Sequence, residues 1–143
     1  MGREDFVRLL REAAARGVDV RVLTPGTLND VKSTWYAGRA QYEQLLARGV
    51  RIFWYQPAMI HGKSFLVDDC WASIGTMNFD NRSLAFNDES NLLVLDENFG
   101  SSVRAMFLDD LTRSKEVTLE QFRRRPRKDR ILEWGASRAA RIL

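Results

Sequence analysis

Two stretches of this chain are punctuated in the same way, and that constrains the fold more than any other feature. Residues 4–16 carry Phe6, Leu9, Leu10 and Ala13 at three-to-four spacing, the period of a helix, and stop at Arg16-Gly17. Val18, Val20 and Val22 then alternate with Asp19 and Arg21, the period of a strand. Pro25-Gly26 is a turn. Residues 28–47 return to a helical pattern, with Trp35, Tyr42, Leu45 and Leu46 as core candidates, and stop at Arg48-Gly49. Val50 to Tyr55 follows as a second strand, broken by Pro57. The two Arg-Gly-Val openings are a local echo rather than a repeat architecture.

The centre is strand-rich. Ile60 to Val67 reads as one run, Asp68-Asp69 as a turn, and Trp71 to Gly75 and Ser90 to Leu95 as two further runs. Residues 97–113 predict a helix with Phe99, Val103, Phe107 and Leu111 on one stripe. Residues 127–143 predict a closing helix with Pro126 in its first turn and Leu132, Ala136, Ala139 and Leu143 on one face. This order predicts an α/β fold, a mixed β-sheet flanked by helices, in a single domain over residues 1–143. The aromatics Trp35, Tyr36, Trp54, Tyr55, Trp71 and Trp134 have core spacing, with a lipid-facing rim as the alternative.

Composition removes several function classes. Cys70 is the one cysteine and His61 the one histidine, which excludes a disulfide framework, a four-cysteine zinc site and a His-rich metal site within one chain. No apolar run approaches the roughly 18 residues of a membrane span. The charged, mixed start does not read as a signal peptide. The net charge of +3 is unevenly placed: residues 121–143 hold 8 basic and 2 acidic side chains, and the rest is slightly acidic. The tail 121–143, centred on Arg123-Arg124-Arg125-Pro126-Arg127-Lys128, reads either as a solvated helix face or as a surface for anionic lipid heads or nucleic acid.

The chemistry lies in one constellation. His61-Gly62-Lys63 is followed by Asp68, then by Gly75-Thr76-Met77-Asn78. Residues two apart on a strand share a face, so His61 and Lys63 are expected to point the same way, as are Thr76 and Asn78. A hairpin joining the two segments brings all four to one pocket. A nucleophile or base, a cation, a hydroxyl and an amide suit a phosphate ester, whose non-bridging oxygens a lysine neutralises and the other groups bond. Asp68 has the opposite parity to His61 and is expected to face away as an orienting residue. Each residue alone is unremarkable; the six identities at set offsets are not.

With these residues in view, the sequence resembles the phospholipase D superfamily, whose signature is this His-Lys-Asp motif with a Gly-Ser/Thr-x-Asn extension. The flanks Gly17 to Leu23, Tyr42 to Val50, Asn78 to Ser83 and Asn87 to Asn91 resemble the C-terminal half of bacterial cardiolipin synthases. The resemblance implies a phosphatidyltransferase using two such motifs: one histidine attacks phosphorus to form a phosphohistidine, the other protonates the leaving alcohol and activates the incoming one. Carried over, the catalytic residues are His61, Lys63, Asp68 and Glu89, with Glu89 holding the imidazole in its reactive tautomer. Lys63, Thr76 and Asn78 bind phosphate. No metal and no cofactor are implied.

The chain departs from the family pattern in two ways. It has one histidine where the chemistry needs two, which implies a homodimer or a second chain carrying the other motif. It also starts at the first helix, where family halves have a preceding strand, so the domain is expected to lack its first strand. The partners implied are an anionic phospholipid substrate and a peripheral contact with the bacterial membrane. The alternatives are a dimeric single-motif phosphodiesterase acting on nucleic acid, or an inactive truncated fragment.

Overall fold

The computed structural model describes residues 3–76 and 88–142. Helix α1 (Arg3–Ala15) leads into strand β1 (Arg21–Pro25), then helices α2 (Lys32–Arg39) and α3 (Tyr42–Leu46) and strand β2 (Arg51–Tyr55). Strands β3 (Ser64–Val67), β4 (Trp71–Gly75) and β5 (Asn91–Leu95) form the centre. Helix α4 (Glu97–Thr112), strand β6 (Ser114–Val117), helix α5 (Leu119–Arg123) and helix α6 (Arg127–Ile142) follow.

The Arg-Gly-Val punctuation is one turn used twice. Gly17 and Gly49 have φ of 93° and 90°, the left-handed region that a side chain disfavours. Val18 N–H donates to Ala13 O at 3.2 Å and Val50 N–H to Leu45 O at 3.2 Å, closing both helix ends with the same six-to-one bond. Each turn delivers the chain into a strand, and the two strands lie side by side. β1 pairs with β2 in parallel, Val22 opposite Ile52, and β6 pairs with the other edge of β2 antiparallel. β2 is therefore central, and Ile52 is fully buried. Val7, Tyr42, Leu45, Val50, Val117 and Phe122 pack around it. Burial pushes the Tyr42 phenol up, so it stays protonated beside Thr24 Oγ1 at 2.9 Å.

β3, β4 and β5 make a second, antiparallel sheet in that order. The expected mixed sheet is thus divided among the described residues into one mixed and one antiparallel sheet of three strands each. Asp68 and Asp69 form the β3–β4 turn with φ of 50° and 55°, as a tight hairpin needs at both central residues. Asp96 caps α4 by accepting from Phe99 N–H at 2.7 Å. Helix α4 touches strands of both sheets. Phe65 bridges to Phe6 of α1 at 6.0 Å and to Trp71 at 5.9 Å.

Three sequence expectations change. The segment 28–47 is two helices, because the break at Ala40-Gln41 lets Arg39 face α6 while Tyr42 and Leu45 face the core. The strand expected from Ile60 begins only at Ser64. Closing helix α6 turns Asp129, Glu133, Ala136, Ser137 and Ala140 inward, while Leu132 and Trp134 are 47% and 62% exposed and Ala139 is exposed; Leu143 lies outside the described residues.

The reason for that inversion is an ion network. Arg39 and Glu133 are 4% and 2% exposed, with Arg39 Nε 3.0 Å from Glu133 Oε1. Those two atoms make no aligned hydrogen bond, so the contact is chiefly ionic. Arg125 Nε donates to Glu133 Oε2 at 2.8 Å, and Asp129 lies 3.5 Å from Arg39. Trp35 stacks 4.3 Å from the Arg39 guanidinium and Phe122 3.8 Å from that of Arg125.

Three substitutions probe this packing. A Cβ at Gly100 of α4 would overlap the Asp69–Cys70 peptide, whereas one at Gly135 of α6 meets nothing within 4 Å. Gly100→Ala is expected to cost about 1–3 kcal/mol, and Gly135→Ala to gain about 0.5–1 kcal/mol, in urea unfolding. Glu133→Ala leaves the buried Arg39 with Asp129 at 3.5 Å as its remaining carboxylate and is expected to cost about 3 kcal/mol in the same measurement.

Candidate active site

An antiparallel sheet puts the start of β3, the end of β4 and the start of β5 at one end. His61 and Lys63 precede β3, Thr76 follows β4 and Glu89 precedes β5, so all four come to that end. The pairing reaches past β3: Gly75 N–H donates to Lys63 O at 3.1 Å. On its other side, Thr76 N–H donates to Ser90 O at 3.0 Å. A Cβ at Gly75 would overlap the Ser90–Asn91 backbone, so this close approach needs glycine.

The side chains meet although His61 and Lys63 lie outside regular strand. Lys63 Nζ stands 2.9 Å from His61 Nδ1 and 2.7 Å from Nε2, and donates to His61 O at 2.9 Å. The ammonium donates to whichever ring nitrogen carries the lone pair, which the tautomer decides. Thr76 Oγ1 donates to Glu89 Oε2 at 2.5 Å and accepts from Ser90 N–H at 3.0 Å. The Thr76 hydroxyl therefore ties the motif's second segment to Glu89-Ser90. His61 and Thr76 are exposed, and Lys63 and Glu89 half-buried, so these groups are reachable from the surface.

Asp68 is not at this end. It sits in the β3–β4 turn, separated from Lys63 by roughly 15 Å of extended backbone. The parity expected between Asp68 and His61 assumed a regular strand through both, and the strand begins only at Ser64. Asn78 lies outside the described residues. Ser90, read from the sequence only as the start of the last strand run, immediately precedes Asn91 of β5, and its backbone joins that strand to Thr76.

Among the described residues no group of three His, Cys, Asp or Glu could hold a metal ion. A cavity of about 210 Å³ lies elsewhere, lined by Arg39, Trp54, Val117, Phe122 and Arg125 among others, and no motif residue lines it. No described helix is long and apolar enough to cross a membrane.

The fold is that of phospholipase D proteins. The chain matches the crystal structure of a phospholipase D family member, Nuc from Salmonella typhimurium, with a TM-score of 0.70 and 20% identity, over 80% of this chain and 74% of that one. The family model described as "Cardiolipin synthase, PLD-like domain" matches residues 2–111. Cardiolipin synthase A of Proteus mirabilis is 35% identical over 130 residues, 91% of this chain and 26% of that protein. A cardiolipin synthase of Clostridium perfringens is 37% identical over 130 residues, 91% of this chain and 27% of that protein. The chain belongs to the cardiolipin synthase, phospholipase D-like domain family. It spans about a quarter of the length of these relatives.

Thr76→Val keeps the side-chain shape and removes both hydroxyl bonds. The expected outcome is a loss of about 1 kcal/mol in urea unfolding, with faster hydrogen exchange at the Ser90 amide.

Proposed function

We propose that this chain supplies one half of a phosphatidyltransferase site, moving a phosphatidyl group from phosphatidylglycerol to the alcohol of a second phospholipid. The observation that carries the reading is the His61–Lys63 contact held beside Thr76 and Glu89 at one sheet end. A ring nitrogen of His61 attacks phosphorus as the bond to the leaving glycerol oxygen breaks. That oxygen takes a proton from a second histidine, which then takes the proton of the incoming hydroxyl. The new oxygen–phosphorus bond forms as the nitrogen–phosphorus bond breaks, and His61 is restored.

Lys63 turns from the imidazole to the non-bridging oxygens as phosphate arrives, which releases the His61 lone pair and neutralises the developing charge. Thr76 and Asn78 donate hydrogen bonds to the same oxygens. Glu89, anchored by Thr76, orients the imidazole, and Asp68 acts structurally through the hairpin turn. The second histidine is supplied from outside these 143 residues, a second copy of the chain being one source, since His61 is the one histidine among them. The exposed leucines of β5, Leu92, Leu93 and Leu95, give such a partner apolar surface.

The test is incubation with phosphatidylglycerol vesicles, reading cardiolipin and released glycerol. His61→Ala is expected to lower the rate by roughly 10⁴-fold or more, and Lys63→Ala by roughly 10²–10³. If two copies share a site, equal mixing of His61→Ala with the unaltered chain leaves about a quarter of sites with both histidines under random pairing. Turnover by His61→Ala equal to that of the unaltered chain overturns the reading. Cleavage of DNA in place of lipid transfer overturns it as well.

A further inference from the structure

Helix α6 turns its acids inward and its apolar side chains outward. Its two acidic residues, Asp129 and Glu133, both point inward to Arg39. Ile131 and Trp134, at helical spacing on the opposite face, are 68% and 62% exposed, and neighbouring Leu132 is 47% exposed. Arg138 completes that face, its guanidinium 5.1 Å from the Trp134 ring. Arg127, Lys128 and Arg130 are exposed around it. The outward side of α6 therefore carries aliphatic and indole groups ringed by cations, and no acid. The helix lies beyond residue 111, where the family match ends.

We propose that this face of α6 docks the protein on an anionic bilayer, with Ile131, Leu132 and Trp134 entering the headgroup boundary and the surrounding arginines and lysine meeting the lipid charges. Charge complementarity and the chemistry of the face carry the assignment. A helix with an apolar stripe bounded by basic residues lies in the plane of a membrane interface, and an indole settles at headgroup depth. A lipid surface suits the face better than a second copy does. Three side chains are far fewer than the 20–30 residues a side that a stable dimer engages, and two such cationic faces repel. Membrane docking here is distinct from substrate capture at His61. The inference rests on the proposed lipid chemistry only for the choice of phosphatidylglycerol as the headgroup.

The experiment is vesicle flotation of the full chain on phosphatidylglycerol–phosphatidylcholine and on pure phosphatidylcholine, in the His61→Ala background so that no turnover is involved. Binding is expected on the anionic vesicles and to weaken as salt rises. The double variant Ile131→Gln, Trp134→Gln is expected to lose at least about tenfold in partition, and each of Arg127→Gln and Lys128→Gln roughly fivefold. Leu28→Gln, at an apolar residue 55% exposed elsewhere, is expected to change nothing. Circular dichroism checks that each variant is folded. Equal flotation by the double variant overturns the proposal, as does a change in sedimentation mass without a change in flotation, which marks a second copy on this face. Binding to DNA with no vesicle binding overturns it too. Transfer activity that fails while flotation holds sinks the proposed reaction and leaves the docking face standing.

Discussion

The hydrogen bond from Gly75 N–H to the Lys63 carbonyl decides where the motif residues of this molecule sit. It extends the β3–β4 pairing one residue past regular strand and so brings His61-Gly62-Lys63 beside Gly75-Thr76. The same glycine lets β5 approach close enough for Thr76 to clasp Glu89 and Ser90. A side chain at position 75 would separate the three strand ends. The motif groups would then lie on chain segments with no common anchor, and the proposed site depends on their relative position.

A second constraint holds the scaffold between α2 and α6. Glu133 and Asp129 together balance Arg39 and Arg125 in a cage of Trp35, Trp54 and Phe122. Buried ion pairs of this kind are poor sources of net stability but severe in their geometry, because a misplaced partner leaves a bare charge in an apolar setting. The network sets the rotation of α6 about its axis. It turns the acids in and, as a consequence, turns Ile131, Trp134 and Arg138 out. The surface character of the C-terminal helix thus follows from what its inner face must satisfy.

Much of this was legible in the chain. The Gly17 and Gly49 stops mark helix ends because both need left-handed backbone, and each turn leads into a strand, but the parallel pairing of β1 with β2 is decided by the fold. The hairpin at Asp68-Asp69 was readable because it too needs left-handed backbone. β6 and α5 were not, because Ser114 to Arg123 is polar and strand pairing there is decided by the free edge of β2 rather than by local pattern. The face of α6 was misread because apolar periodicity assumes that burial follows hydrophobicity. Here a paired Glu133 took the buried position from Leu132.

The sequence by itself determined the α/β class and the identity of the chemical groups, since His61, Lys63, Asp68, Thr76, Asn78 and Glu89 stand at offsets that residue types and strand parity can interpret. Only the tertiary structure decided that Lys63 reaches both ring nitrogens of His61, that Glu89 is anchored by Thr76, and that Asp68 lies at the opposite end of the sheet. Local sequence encodes backbone preference over a few residues. Which strand ends coincide, and which helix face is spent on a buried charge, depend on contacts between segments tens of residues apart, and those exist only once the chain is folded.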